Sequence, residues 1–293
     1  MRELLIATAE RAIQYLECLN ERSVVPDPAI VARLTDLDIP LPDHRSSADE
    51  TVALLDSYRA ATMAMAGPRF FGFVIGGALP ATLAANWLAG AWDQNSAAAV
   101  ITPLTAKLED VALRWLRDVL SLPQETGVGL VTGATMANFT CLTAARHAVL
   151  AQAGWDVEAD GMFGAPPVTV VVGEEAHTTL FKSLGLAGFG RNRVVRVPVD
   201  KQGRMRADVF PNLSGPTIVC LQAGNVNTGA FDPAPEIIPK AKEARAWVHV
   251  DGAFGLWAAA APSKAHLMAG YADADSWATD AHKYLNTPYD CGL

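Results

Sequence analysis

From about residue 128 the chain alternates short β-branched runs with stretches of helical period. Residues 127–132 are expected as a short strand and 134–152 as a helix, because apolar positions in the latter recur three and four apart. Residues 168–172 are all valine or threonine and lack the polar alternation of a half-exposed strand, so a buried strand is expected there. The pattern continues with a helix over 178–186 and strands over 193–199 and 217–222. A helix over 235–244 and strands over 247–250 and 276–279 complete it. Such alternation predicts an α/β layer fold with a mostly parallel sheet and ligands at the carboxyl ends of its strands.

Residues 1–120 show another pattern. Leu5, Ile6, Ala9, Ile13, Leu16 and Leu19 recur at helical spacing, so an amphipathic helix is expected over 2–19. Pro26, Pro28, Pro40, Pro42, Pro68 and Pro80 punctuate the stretch after that helix, and no strand-like run is present. The expected organisation is a helical N-terminal segment over 1–120 and an α/β domain over 121–293. Residues 70–92 carry no charge and are numerous enough to cross a bilayer. Gly72, Gly76, Gly77, Pro80, Asn86 and Gly90 point instead to a glycine-rich loop and a buried helix from about Pro80. No membrane span is expected.

Composition narrows the class. At 293 residues and 51% hydrophobic content the chain can bury a substantial core. A formal charge of −8 argues against nucleic acid or an anionic membrane as the main partner. Cys18, Cys141, Cys220 and Cys291 are far apart and form no CxxC pair. With no secretory leader at the start, a reduced, cytoplasmic setting is expected.

Candidate chemistry gathers near the end of the sequence. Lys283 lies just beyond the strand-like run 276–279, in Asp280-Ala281-His282-Lys283-Tyr284, and Asp251 closes the run 247–250. A lysine amine and a carboxylate at neighbouring strand ends suit pyridoxal phosphate chemistry. The amine holds the cofactor as a Schiff base, and the acid keeps the pyridine nitrogen protonated. Thr132-Gly133-Ala134-Thr135 stands at a strand-to-helix junction, where free amides and the helix dipole favour a phosphate; an ordinary N-cap by Thr132 or Thr135 fits equally well. His177 comes just after the valine strand, where an imidazole can lie on a cofactor ring or simply cap a helix. The turn Gly224-Asn225-Val226-Asn227 offers amides to a ligand or makes a plain loop. His249 and Asp251 point to one face of their strand, so a metal site is a rival account, which no HExxH or carboxylate cluster supports. A nucleotide-binding dehydrogenase is excluded: the later glycines of its turn are missing, and no tyrosine has a lysine four positions on.

The succession Thr-Gly-Ala-Thr-x-Ala-Asn, Glu-x-Ala-His, His-Val-Asp-Gly-Ala-Phe-Gly and Asp-Ala-His-Lys-Tyr resembles the group II pyridoxal phosphate-dependent amino acid decarboxylases. The resemblance runs from about residue 67 to 293. It implies the fold type I large domain, with a mixed, mostly parallel sheet preceded by a helical segment. It makes Lys283 the Schiff-base lysine, Asp251 the partner of the pyridine nitrogen and His177 the ring-stacking histidine. Ala253 would pack on the other face. Gly133, Ala134, Thr135 and His282 would hold the phosphate, Asn225 or Asn227 would supply a further cofactor contact, and Phe71 and Phe73 would line the substrate pocket.

The activity implied is loss of carbon dioxide from an L-amino acid, in a homodimer. A carbon–carbon lyase, an aminotransferase or a non-catalytic cofactor-binding remnant is the alternative. Relatives continue past the lysine with a strand inserted into the sheet, a proton-returning loop and a small domain. With ten residues after Lys283, the chain is expected to be a fragment lacking significant activity.

Overall fold

The β-branched runs form one five-stranded sheet in the computed structural model, which describes residues 1–293. The strands are β1 (Thr169–Gly173), β2 (Val195–Val197), β3 (Thr217–Gln222), β4 (Trp247–Asp251) and β5 (Ser276–Ala278). Their order is β2-β1-β3-β4-β5, and every pair is parallel. Gln222 of β3 pairs with Asp251 of β4, which pairs with Ala278 of β5. Three carboxyl ends therefore stand side by side. β2 is shorter than the 193–199 expected, as befits an edge strand paired on one side only.

No strand forms over 127–132, contrary to expectation. Val131 alone makes an antiparallel bridge, to Gly292, which bridges Asp280 on its other side. Gly127 and Gly129 have no side chain to pack on a sheet, which weakens strand formation there. Antiparallel pairing is thus limited to isolated bridges, these two and those of Val199 with Met205 and Ala223 with Phe231. Gly292 lies directly on the chain at Gly133: a Cβ there would stand 2.5 Å from the Gly133 Cα, so only glycine fits.

The chain divides into two compact units, Met1–Gly77 and Ala78–Leu293, so the helical stretch 1–120 contributes to both. The first unit holds α1 (Arg2–Glu17), α2 (Pro28–Ala32) and α3 (Ala48–Ser57). The amphipathic period of the opening residues does give a helix, α1. Ser47 and Glu50 cap α3 reciprocally, satisfying two amides at its start. Asp56 binds both Arg11 (2.8 Å) and Arg59 (2.6 Å). Only Leu19, Tyr58 and Ala64 are buried in this unit.

The second unit adds α4 (Pro80–Trp92), α5 (Pro103–Val119), α6 (Ala134–Gln152), α7 (Val157–Asp160), α8 (Thr178–Leu186), α9 (Ala234–Glu243) and α10 (Ala281–Tyr284). Strand alternation divides its core in two. Val170, Val172, Ile218 and Cys220 pack with Leu142 and Val149 of α6 and Leu180 and Leu184 of α8. Val171, Val219, Leu221, Val248 and Val250 face the other way, toward Ile237 and Ile238 of α9. The result is a helix–sheet–helix sandwich. Burying each such side chain stabilises it by about 1.5–3 kcal/mol. On β4, Val248 and Val250 take the α9 face, which leaves His249 and Asp251 on the α6 face. No helix is long and apolar enough to cross a membrane.

Candidate active site

Asp251 ends β4 with 5% of its surface exposed. Burial pushes its carboxyl above the usual carboxylate range, and the neighbouring His177 is the largest influence opposing that. Asn138 Nδ2 donates to its Oδ2 (3.2 Å) and the Ala253 amide to its Oδ1 (3.3 Å), and Lys283 also acts to lower the carboxyl's pKa. Both hydrogen bonds are long. The carboxylate is buried and under-coordinated, and it lacks a cationic donor in direct contact.

β5 leads through Thr279 and Asp280 into the single turn of α10, which carries Lys283. Its Nζ lies 3.0 Å from Asp280 Oδ2. The other oxygen, Oδ1, accepts a 2.6 Å hydrogen bond from the Ala134 amide, the first of α6. A helix start leaves its first amides without intrahelical partners. Neither Thr132 nor Thr135 caps this one; the N-cap is Gly133, which has no side chain to offer. A carboxylate from 146 residues away takes the role instead, so a negative charge meets the helix's first amide. His282 is buried beside it, with Nε2 at 3.7 Å from Asp280 Oδ2. Its ring stacks on Tyr289 (4.2 Å between centroids), and its Nδ1 accepts from the Cys291 amide (3.3 Å).

The other candidate residues of the sequence also find their places. His177 caps α8: its Nδ1 accepts from the Thr179 amide and lies 2.7 Å from the Thr179 hydroxyl. It lines a small crevice with Asp251, Gly203 and Cys220. Ala253 ties β4 to β5, its carbonyl accepting from the Asp280 amide at 2.9 Å. The Thr135 carbonyl accepts from Ser183 Oγ at 2.9 Å. Asn225 is buried and fully engaged: Nδ2 donates to Glu175 (3.1 Å), and Oδ1 accepts from the Asn227 and Thr228 amides. Asn227 is exposed. Phe71 and Phe73 belong to the first unit, where they are 90% and 79% exposed. The structure therefore gathers Lys283, His282, Gly133 and Ala134 around Asp280, and Asp251, Ala253 and His177 alongside.

Sequence reasoning missed Asp280 and Asn138. The spacing of Asp280, three residues before Lys283 on one helical turn, is a signal that would have found it. His249 is fully buried, and both ring nitrogens are taken, Nε2 by Asn138 (2.8 Å) and Nδ1 by Ser276 (2.9 Å). A metal has no free nitrogen there.

The profile of the pyridoxal-dependent decarboxylase conserved domain matches residues 43–293. The chain belongs to the pyridoxal-dependent decarboxylase family. Tryptophan decarboxylase 1 of Oryza sativa subsp. japonica is 31% identical over 248 residues, covering 77% of this chain and 47% of that protein. Cysteine sulfinic acid decarboxylase of Homo sapiens is 26% identical over 276 residues, covering 90% and 54%. This decarboxylase-family chain thus spans about half the length of these relatives. Among solved structures, Oryza sativa TDC with PLP and tryptamine superposes with a TM-score of 0.85 at 27% identity, over 99% of this chain and 65% of that one. Mouse CSAD superposes with a TM-score of 0.88 at 24% identity, over 99% and 63%. The fold is that of the type I large domain in these decarboxylases.

Proposed function

We propose that this chain is the cofactor-holding part of an enzyme that removes carbon dioxide from an L-amino acid with pyridoxal 5'-phosphate. The observation that carries the reading is the pairing of Lys283 with a turn already occupied by a carboxylate oxygen, beside a buried acid short of a cation. The donor set fits the group. A phosphate would take the place of the Asp280 oxygen at the Ala134 amide, with Gly133, Thr135 and His282 around it, and a pyridine N–H suits Asp251. Bound pyridoxal phosphate supplies an electron sink conjugated to the substrate's Cα.

The chain's own residues do the rest. Lys283 must offer its amine to hold the cofactor, and Asp280 Oδ2, 3.0 Å from its Nζ, holds the side chain in place. Asp251 keeps a positive charge at the pyridine nitrogen, an interaction that strengthens as electrons flow into the ring. His177 and Ala253 are assigned to the two faces of the ring. Asn225, already shaping its loop, is a poorer candidate for direct contact than the exposed Asn227. Phe71 and Phe73 are assigned to the amino acid's side chain.

The proposal extends to a homodimer in a reducing, cytoplasmic setting. All four cysteines are free, and the uncharged helix α4 turns Trp87, Leu88 and Trp92 outward. Borohydride treatment of the cofactor-loaded chain, followed by peptide mapping, tests the site. The label is expected on Lys283; a label on Lys182 or Lys264 overturns the assignment. Amine and carbon dioxide production from a panel of aromatic, acidic and diamino acids tests the activity. A keto acid or an aldehyde as product would point to an aminotransferase or a carbon–carbon lyase instead.

A further inference from the structure

Behind Asp251 the core holds polar side chains where its neighbours are aliphatic. Asn138 and His249 are fully buried, and Ser276 is 7% exposed. Placing three polar groups there costs free energy unless every donor and acceptor is matched. They are matched, in a single line. Trp247 Nε1 lies 2.9 Å from Ser276 Oγ, which lies 2.9 Å from His249 Nδ1. His249 Nε2 lies 2.8 Å from Asn138 Oδ1, and Asn138 Nδ2 lies 3.2 Å from Asp251 Oδ2.

The two ends fix the direction of every proton between them. An indole nitrogen only donates and a carboxylate only accepts. Trp247 therefore donates to Ser276 and Asn138 Nδ2 to Asp251, which turns Asn138 Oδ1 toward His249 Nε2. That nitrogen donates, and Nδ1 of the neutral ring accepts from the Ser276 hydroxyl. The imidazole is neutral, because burial pushes its pKa down to about 3, so its one proton is on Nε2 and goes to Asn138 Oδ1. The amide of Asn138 is then left with Nδ2 facing Asp251. Four hydrogen-bond dipoles point their positive ends at one carboxylate.

We propose that Ser276, His249 and Asn138 are positioning residues for Asp251: a one-directional hydrogen-bond chain, begun by the Trp247 indole, that fixes the carboxylate's orientation and keeps it ionised against the pyridine nitrogen of the cofactor. The proposal rests on the functional reading above. Other ionisable groups press on the same chain. Cys141 of α6 approaches Ser276, Cys220 of β3 approaches Asp251, and His177 and Lys283 act on Asp251 from the ligand side. The chain is the only hydrogen-bonded link from Asp251 to β5 through side chains alone.

The test uses the whole chain with Ser276→Ala, Asn138→Leu, Trp247→Phe and the conservative Ser276→Thr. In cofactor-free protein carrying 13C-labelled aspartate, the Asp251 carboxyl is titrated by NMR. Its midpoint is expected to rise in Ser276→Ala, Trp247→Phe and Asn138→Leu, most in the last, and to return toward wild type in Ser276→Thr. With 15N-labelled pyridoxal phosphate bound, the ring nitrogen shift is expected to move toward the neutral pyridine value in the same order. Cofactor affinity should fall roughly tenfold in Asn138→Leu, the worth of one hydrogen bond to a charged group. A purely structural role would lower melting temperature and leave the Asp251 midpoint unmoved. If Asn138→Leu fails to fold, the part-buried Trp247→Phe and the near-isosteric Ser276→Ala decide. Unchanged Asp251 midpoints in those two overturn the inference. Absence of bound cofactor in the wild-type chain overturns the functional reading alone, since the titration needs no cofactor.

Discussion

Asp280 does three jobs with one carboxylate: it caps α6, pairs with Lys283 and sits beside His282. Asp280→Ala leaves the buried Ala134 amide without an acceptor, so the cofactor-free chain should lose about 1.5–3 kcal/mol of stability in urea melts. Asp280→Asn keeps an oxygen for that amide and should lose less than half as much. Equal losses in the two would show that the cap carries little of the effect. At this scale legibility depended on chain distance. Lys283 and Asp251 stand at the ends of strand-like runs, and their residue types suffice to name a chemistry. Asn138 is 113 positions from its carboxylate partner, and nothing local separates it from any other polar residue on a helix. Of the two readings its position allowed, His177 shows the cap on α8, and it also lies near Asp251.

At the scale of elements, the parallel strands were readable because burial on both faces removes polar residues and leaves uninterrupted β-branched runs. The bridge at Val131 was not, since pairing there depends on Gly292, far along the chain. Gly292→Ala would drive a Cβ into Gly133. The expected outcome is detachment of residues 291–293 rather than global unfolding, seen as faster hydrogen exchange at the Val131 and Thr279 amides with little change at β3. The connection after β3 carries a second test. Asp232 accepts from the Met205 amide and the Gln222 amide, both at 2.7 Å, and burial raises its pKa to about 6. The folded state then binds a proton that the unfolded chain, with a pKa near about 3.9, releases. The contribution of this group to stability therefore falls as pH rises from about 4 to about 6 and is flat above that. The stability difference between wild type and Asp232→Asn should shrink over that window in urea melts. A difference constant from pH 4 to 7 would contradict the raised value.

For the molecule as a whole, the two units differ in how much they bury. The first has three buried side chains, whereas the second holds two packed layers against its sheet. Hydrogen exchange should show amides in 1–77 opening at lower free energy than those of β1, β3 and β4. Protection of α1 equal to that of β3 would refute this.

The long reach of the hydrogen bonds at Asp251 also has a consequence in time. Asn138 leaves the ribosome 113 residues before the aspartate it serves, and Ala134 leaves 146 before Asp280. At elongation speeds of about 5–20 residues per second, that first interval is on the order of ten seconds. Throughout it, the face of α6 that will become the floor of the site carries an amide side chain and an uncapped amino end with no partner yet made. The nascent chain must keep that face wet or sheltered until β4 and β5 arrive. Vectorial synthesis thus sets the order of events: β4 and β5 bring to rest polar groups made long before them.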